Sequence, residues 1–289
     1  MELAAIIGSY LDLISVLASR YHLDTPGVEA STPMLRGVWG AALREVGPEA
    51  YSQVFEGGFE GTPAYIFRPA PADPRCWPAV DFMLLGPAVQ HAAAASAAWQ
   101  CLCERGLGPE RHNVTIQNTF ILGPAARNDP RVAPVWVLSK ADTPPADQPC
   151  RLTFSAPLRL LRNGHLIEQP SLADIVIAGA RRIGLFLPVP AQKHWNALGR
   201  QLLELAKDTP AGIFEGDRRD FYRYSGRQKR ELGMRGVSGA LLLPNGPGEL
   251  AGLLGALEWL HIGKGAVFGL GQPTLESFPA PPPKTAEPI

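Results

Sequence analysis

Residues 14–48 read ISVLASRYHLDTPGVEASTPMLRGVWGAALREVGP, and this stretch sets the fold class. Ile14–Leu23 is apolar and β-branched and ends in Arg20-Tyr21-His22, which predicts a strand. Two prolines and a glycine make 24–33 a loop. Thr32 stands where a cap belongs, ahead of Pro33, an allowed first helical position. The helix that follows puts Leu35, Val38, Trp39, Ala42, Leu43 and Val46 on one stripe and leaves Arg36 and Arg44 on exposed flanks. Gly47-Pro48 stops it.

Working outward, short strands are predicted at 64–68 and 80–85, then an alanine-rich helix over 88–105, then strands at 113–122 and 132–139. This succession of strand, helix, strand, strand, helix, strand is the order of a ferredoxin-like β-α-β-β-α-β unit. A proline-rich link from Thr143 to Pro149 marks a boundary between units 1–147 and 148–278. The second unit opens with a strand at 151–154 and a hairpin from Leu158–Leu161 to His165–Glu168, turning at Asn163-Gly164, a strong two-residue turn signal. Ser171 and Asp174 form a capping box before an apolar helix. A helical pattern over 191–207, strands at 221–225 and 237–243 and a helix at 248–260 complete a second α+β half. The tail 279–289 holds five prolines and is expected to be disordered.

The 289 residues carry 27 Lys+Arg against 27 Asp+Glu, so a globally basic coat protein is excluded, although a local basic groove is not. A hydrophobic content of 46% excludes global disorder. The apolar stretches 1–18 and 88–103 are interrupted by polar residues and fall short of a membrane span. No basic leader opens the chain, and four cysteines without a CxxC pair read as reduced thiols, so a cytoplasmic protein is expected.

Two segments concentrate chemistry. Gly263-Lys-Gly-Ala-Val-Phe-Gly-Leu-Gly271 places Gly263, Gly265, Gly269 and Gly271 around one lysine, Lys264. It follows a helix and lacks the Ser/Thr of a P-loop, so no nucleotide cofactor is expected. It reads either as a tight turn packed on a sheet or as backbone that grips phosphates with Lys264 adding charge. Residues 217–235, DRRDFYRYSGRQKRELGMR, hold seven cations, Arg218, Arg219, Arg223, Arg227, Lys229, Arg230 and Arg235, against three acids. Phe221, Tyr222 and Tyr224 interleave them, a composition suited to phosphate neutralisation and base stacking or to an ordinary solvated face. None of the six histidines has a metal-ligand spacing, and no metal is expected. His22, at a strand end beside Tyr21 and Arg20, could act as a general acid or base or be a plain surface residue.

Tyr222-Arg-Tyr-Ser-Gly-Arg-Gln228, Gly236–Gly239, the apolar helix and Leu260–Gly271 together resemble the C-terminal half of the CRISPR repeat-RNA processing endoribonucleases of the RAMP superfamily. Leu35–Gly40, Tyr51, Phe55-Glu56 and Phe82–Gly86 extend the likeness to about residues 14–276. The resemblance implies two tandem ferredoxin-like (RRM-like) domains and a C-terminal glycine-rich loop. It implies binding of a CRISPR repeat RNA stem-loop, other CRISPR effector-complex subunits as partners, and no membrane. It implies metal-independent cleavage, in which a ribose 2′-OH attacks the adjacent phosphate and the product stays bound. The alternative on the same fold is a non-catalytic guide-RNA-binding subunit. Archaeal members place a Tyr and a His near Trp39 or Gly40 and near Phe55, and neither is kept here. The catalytic candidates are therefore Arg20, Tyr21, His22, Arg36 and Arg44, with arginine suited to clamping phosphate.

Overall fold

A computed structural model of the chain describes residues 2–57, 61–70, 78–124, 134–225 and 230–277, with side chains described outside 221–225 and 230–232. The N-terminal half runs α1 (Glu2–Leu11), β1 (Ser15–Asp24), α2 (Thr32–Val46), the single turn α3 (Pro48–Ala50), a π-turn (Tyr51–Phe55), β2 (Tyr65–Pro69), β3 (Ala79–Leu85), α4 (Ala92–Arg105), β4 (Thr115–Leu122) and β5 (Val135–Val137). Its sheet is ordered β2-β3-β1-β4, with β5 also on β1, and every neighbouring pair is antiparallel.

The C-terminal half repeats this plan. It runs β6 (Cys150–Leu158), a small hairpin of β7 (Leu161–Arg162) and β8 (His165–Leu166), α5 (Leu172–Gly184), α6 (Val189–Ala197), α7 (Gly199–Asp208), β9 (Glu215–Ser225), β10 (Arg230–Leu243), α8 (Ala251–Leu260) and β11 (Thr274–Ser277). Its sheet is ordered β11-β6-β10-β9, again antiparallel throughout. Counting each sheet's main strands from its own start, both read fourth-first-third-second. The molecule is α+β, built from two ferredoxin-like sheets in tandem.

Local chemistry explains the elements. Asn163 and Gly164 both take positive φ (52° and 83°), as a type I′ hairpin turn requires. Ser171 and Asp174 make both bonds of the capping box at the start of α5. Helix α8 is apolar apart from Glu258, and seven of its ten residues are buried. It meets α5 closely enough that a Cβ on Gly179 would lie 2.8 Å from Leu257, and Trp259 packs edge-on against Trp136 of β5 at 4.8 Å. One continuous core therefore joins the two halves, from Ile7 and Leu11 to Leu254 and Leu257.

The structure corrects several sequence expectations. The cap of α2 is Ser31, while Thr32 donates its hydroxyl to the Phe268 carbonyl (3.3 Å). Val46 is exposed, at the C-terminal end of the helix, where the buried stripe has already stopped at Leu43. The pattern over 191–207 breaks at Leu198 into two helices, α6 and α7. The strands expected at 221–225 and 237–243 are parts of one long ribbon, β9–β10, whose eleven register pairs run from Arg230–Ser225 to Ala240–Glu215. The hairpin before α5 is shorter than its sequence suggests, two residues on each side. The tail 279–289 lies outside the described residues.

Candidate nucleic-acid interface

The glycine loop lies where the two halves meet. Gly263, Gly265, Gly269 and Gly271 all have positive φ (81°, 91°, 84° and 65°), so other residues would be strained there. All four also permit close approach. A Cβ on Gly269 would sit 2.8 Å from the Arg68 Cα of β2, and one on Gly271 would overlap the Ile262 carbonyl. The Gly269 and Gly271 amides donate within the fold, to Ala266 (3.0 Å) and Pro157 (3.1 Å). The Lys264 amide donates to Arg159 (2.9 Å), which leaves Lys264 itself exposed. The loop is thus a packed turn whose lysine side chain, rather than most of its amides, faces out.

Two buried groups brace this turn. His261, the residue ahead of the loop, has φ +52° and is fully buried, and its Nδ1 lies 3.2 Å from the Leu270 carbonyl. Burial and the Arg68 charge hold its pKa well below the ordinary histidine value, so Nδ1 carries the proton and donates. Arg182 donates Nε to the Leu260 carbonyl (3.1 Å) at the C-terminus of α8, where a cation is favoured. Its guanidinium packs 4.7 Å from the Phe186 ring, and burial lowers its pKa to about 10.

Arg36 faces this loop. Its guanidinium carbon lies 5.1 Å from the Phe268 ring centre, 4.3 Å from Phe55 and 5.6 Å from Tyr65. Its Nε donates to the Tyr65 hydroxyl at 2.6 Å. Sequence periodicity puts Arg36 on an exposed flank, yet it is half-buried in an aromatic cage, because the loop from the other half closes over it. Phe55, where the resemblance puts a histidine, is one wall of that cage. It reaches α2 because Gly40 has no side chain; a Cβ there would overlap the Phe55 ring. Tyr51, Phe55 and Tyr65 form a continuous stack at 5.0 and 5.3 Å. Arg44, two turns further along α2, is exposed and lies 5.8 Å from Tyr51.

The candidates on β1 divide between the two faces of the sheet. Strand side chains alternate between faces, so Tyr21 points to the helix side and stacks on Trp99 of α4 at 4.2 Å. Burial raises its pKa to about 12. Arg20 and His22 share the opposite face. Arg20 donates Nε and Nη2 to both oxygens of the fully buried Asp81 (2.7 and 3.1 Å), and Arg68 donates Nε to the same carboxylate (2.8 Å). His22 is buried against the half-exposed Phe120, ring centres 5.1 Å apart. Neither Tyr21 nor His22 touches Arg36.

The cationic ribbon reaches the loop through its base. Met234 of β10 joins Phe268 and Leu270 in a small apolar cluster, and a Cβ on Gly265 would lie 3.2 Å from the Met234 sulfur-bound methyl. Arg219 is exposed, opposite Gly236 in the register. Arg218 pairs with Glu168 (2.6 Å) and Arg235 with Asp220 (3.8 Å), both solvent-exposed. Arg223 and Arg230 lie on the ribbon by their backbones, opposite Leu232 and Ser225. Arg227 and Lys229 fall outside the described residues. Sequence reading misses Tyr65, Phe268, Asp81 and Arg68; strand alternation separates Tyr21 from His22, but nothing local marks the others. Among the described residues no group of His, Cys, Asp or Glu is placed to hold a metal ion, and no helix is long and apolar enough to cross a membrane.

Residues 152–273 match the family model of CRISPR-associated endoribonuclease Cas6, the family that the sequence resembles. No curated protein matches by sequence. Among solved structures, the Cas6 (TTHB231) product complex superposes with a TM-score of 0.60 at 15% identity, covering 90% of this chain and 100% of that one. Thermus thermophilus Cas6 (TTHB231) gives a TM-score of 0.57 at 15% identity, covering 91% of this chain and 99% of that chain. The Cas6 (TTHA0078) product complex gives 0.57 at 20% identity, covering 91% and 100%. At these identities the likeness is one of fold.

Proposed function

We propose that this chain is an endoribonuclease that binds the repeat stem-loop of precursor CRISPR RNA and cuts it without metal, by attack of a ribose 2′-OH on the adjacent phosphate. One observation carries the reading: the segment that matches the Cas6 family model ends on the glycine loop that closes over Arg36. Arg36 points its charge at the phosphorane, where a fixed cation stabilises charge that develops only in the transition state. Lys264 and the cations of the β9–β10 ribbon, Arg218, Arg219, Arg223, Arg227, Lys229, Arg230 and Arg235, hold the RNA backbone and set the salt dependence of binding. Gly263, Gly265, Gly269 and Gly271 shape the surface that presents Lys264. Arg20, Arg44, Tyr21 and His22 serve the fold or the flanks of the site.

In this reading units 1–147 and 148–278 grip one RNA between them. The product stays bound and is passed to effector subunits in the cytoplasm. In-line attack requires the 2′-oxygen, phosphorus and 5′-oxygen to be aligned, and alignment by cationic clamps alone accelerates such a step. The test is incubation of the full chain with its own genomic repeat RNA in EDTA, followed by mapping of the ends. A single cut leaving a 5′-OH and a cyclic or 3′ phosphate is expected. Tight binding with no cut would make the chain a guide-binding subunit, and a cut that needs added metal would overturn the mechanism.

A further inference from the structure

Arg36 is oriented by a residue from a strand rather than by its own helix, and this suggests a second member of the site. We propose that Tyr65 is a positioning residue for cleavage, fixing the Arg36 guanidinium through its hydroxyl so that the Nη nitrogens face the scissile phosphate. The inference rests on the reading of Arg36 as the phosphate-facing cation.

Tyr65 is fully buried in β2 and cannot turn away. Trp39, Phe55 and Phe67 hold its ring at 5.3, 5.3 and 5.8 Å. That leaves the hydroxyl at the edge of the aromatic cluster, 2.6 Å from Arg36 Nε. Burial raises the phenol pKa, so the group stays neutral and accepts this charge-assisted bond. A guanidinium carries five N–H donors, one on Nε and four on the Nη nitrogens. Tyr65 takes the first, and no Nη bond to a described residue is seen. The Phe55 and Phe268 rings, at 4.3 and 5.1 Å, supply the walls of the cage. A fork so constrained offers two parallel donors to a phosphate in one orientation, which a flexible surface arginine does not.

Tyr65→Phe removes only the hydroxyl from this packing. In single-turnover cleavage of the repeat RNA, the rate is expected to fall about tenfold while RNA affinity stays within roughly twofold, since the bond orients a group used mainly in the transition state. In an Arg36→Ala background the same change should do nothing more, because the two residues act as one unit. Methylguanidinium added to Arg36→Ala should restore part of the rate and methylammonium should not. This measurement leaves Tyr65 in place and so reads out even where Tyr65→Phe fails to fold.

The outcomes separate. If Arg36→Ala cleaves at the wild-type rate, the reading of Arg36 fails and takes this inference with it. If Arg36→Ala is slow but Tyr65→Phe is not, Arg36 stands and Tyr65 is not its positioner. Equal slowing by Tyr65→Phe with and without Arg36, or equal rescue by methylammonium, would also overturn the assignment.

Discussion

Arg20 and Arg36 carry the same group and lie within one ferredoxin-like unit, yet the fold uses them in opposite ways. Arg20 gives two donors to the buried Asp81, a carboxylate that Arg68 also holds. That hydrogen bond raises the Arg20 pKa, and the guanidinium is tied down beside a carboxylate that it shares with Arg68. Arg36 gives one donor to a neutral phenol and, among the described residues, pairs with no carboxylate; Phe55 and Phe268 wall it. The difference shows that a cation's role is set by its partner. Arginines that are equal candidates in the sequence become a structural tie in one case and a caged cation in the other.

The sharpest way to break this contrast is to remove the tie. Asp81→Ala leaves Arg20 and the largely buried Arg68 without their counter-ion. Breaking a buried pair in this way costs about 3–5 kcal/mol. Urea unfolding should show that loss, and cleavage should weaken with it, because the Arg68 backbone is the seat of Gly269. A loss under about 1 kcal/mol would mark the pair as a screened surface bridge and dissolve the distinction.

The next effect is on rate. Arg36→Ala should slow single-turnover cleavage by about 10²–10³-fold, the usual cost of deleting a preorganised electrostatic donor, with a much smaller change in affinity. Its stability should hold better than that of Asp81→Ala, because Arg36 answers no buried charge among the described residues. A stable, fully active Arg36→Ala would leave the aromatic cage without a catalytic part.

A third experiment tests the other side. In Arg20→Ala, Asp81 keeps Arg68 on Oδ2 but loses two bonds and its partner on Oδ1, so stability should fall by about 1–3 kcal/mol, less than in Asp81→Ala, because one counter-ion remains. The cleavage rate of the folded variant should change by less than about threefold if Arg20 makes no transition-state contact. A loss as large as that of Arg36→Ala would restore Arg20 as a partner in the chemistry.

How much of this is legible in the sequence follows from the range of each interaction. The Asn163-Gly164 turn, the Ser171–Asp174 box and the helix of Leu35, Trp39 and Leu43 are local, and their residues announce them. The glycine loop is visible as a loop. What it packs on is not, because Gly269 meets Arg68 only after the two halves dock. The Arg20–Asp81 tie spans 61 positions, and the Thr32–Phe268 bond spans 236. No periodicity or motif encodes such a distance. The long β9–β10 ribbon reads short because the glycines and arginines of 230–236 are weak strand formers, whereas cross-strand pairing from Arg230 onward holds these residues extended. The alternation that parts Tyr21 from His22 follows from the strand period alone.

The smallest effect separates the two arginines by how each meets phosphate. Each neutralised phosphate releases counter-ions, so the slope of log K against log[salt] changes by roughly 0.7–0.9 for every phosphate that a variant no longer neutralises. If Arg36 touches the scissile phosphate in the ground state, Arg36→Ala should flatten the slope by about one such unit. Arg20→Ala should leave it unchanged if the Asp81 tie persists in the complex, because two of the Arg20 donors are then held by that carboxylate and turned away from any phosphate. Neutralising Arg219 together with Lys264, both exposed, should flatten the slope by about two units and supplies the scale for reading the other two. Identical slopes for wild type and Arg36→Ala, alongside a slowed rate, would mean that Arg36 meets the phosphate only as the phosphorane forms. Flattening by Arg20→Ala equal to that of Arg36→Ala would mean the Asp81 tie opens when RNA binds, and the contrast between a locked and a caged arginine would hold for the free protein alone.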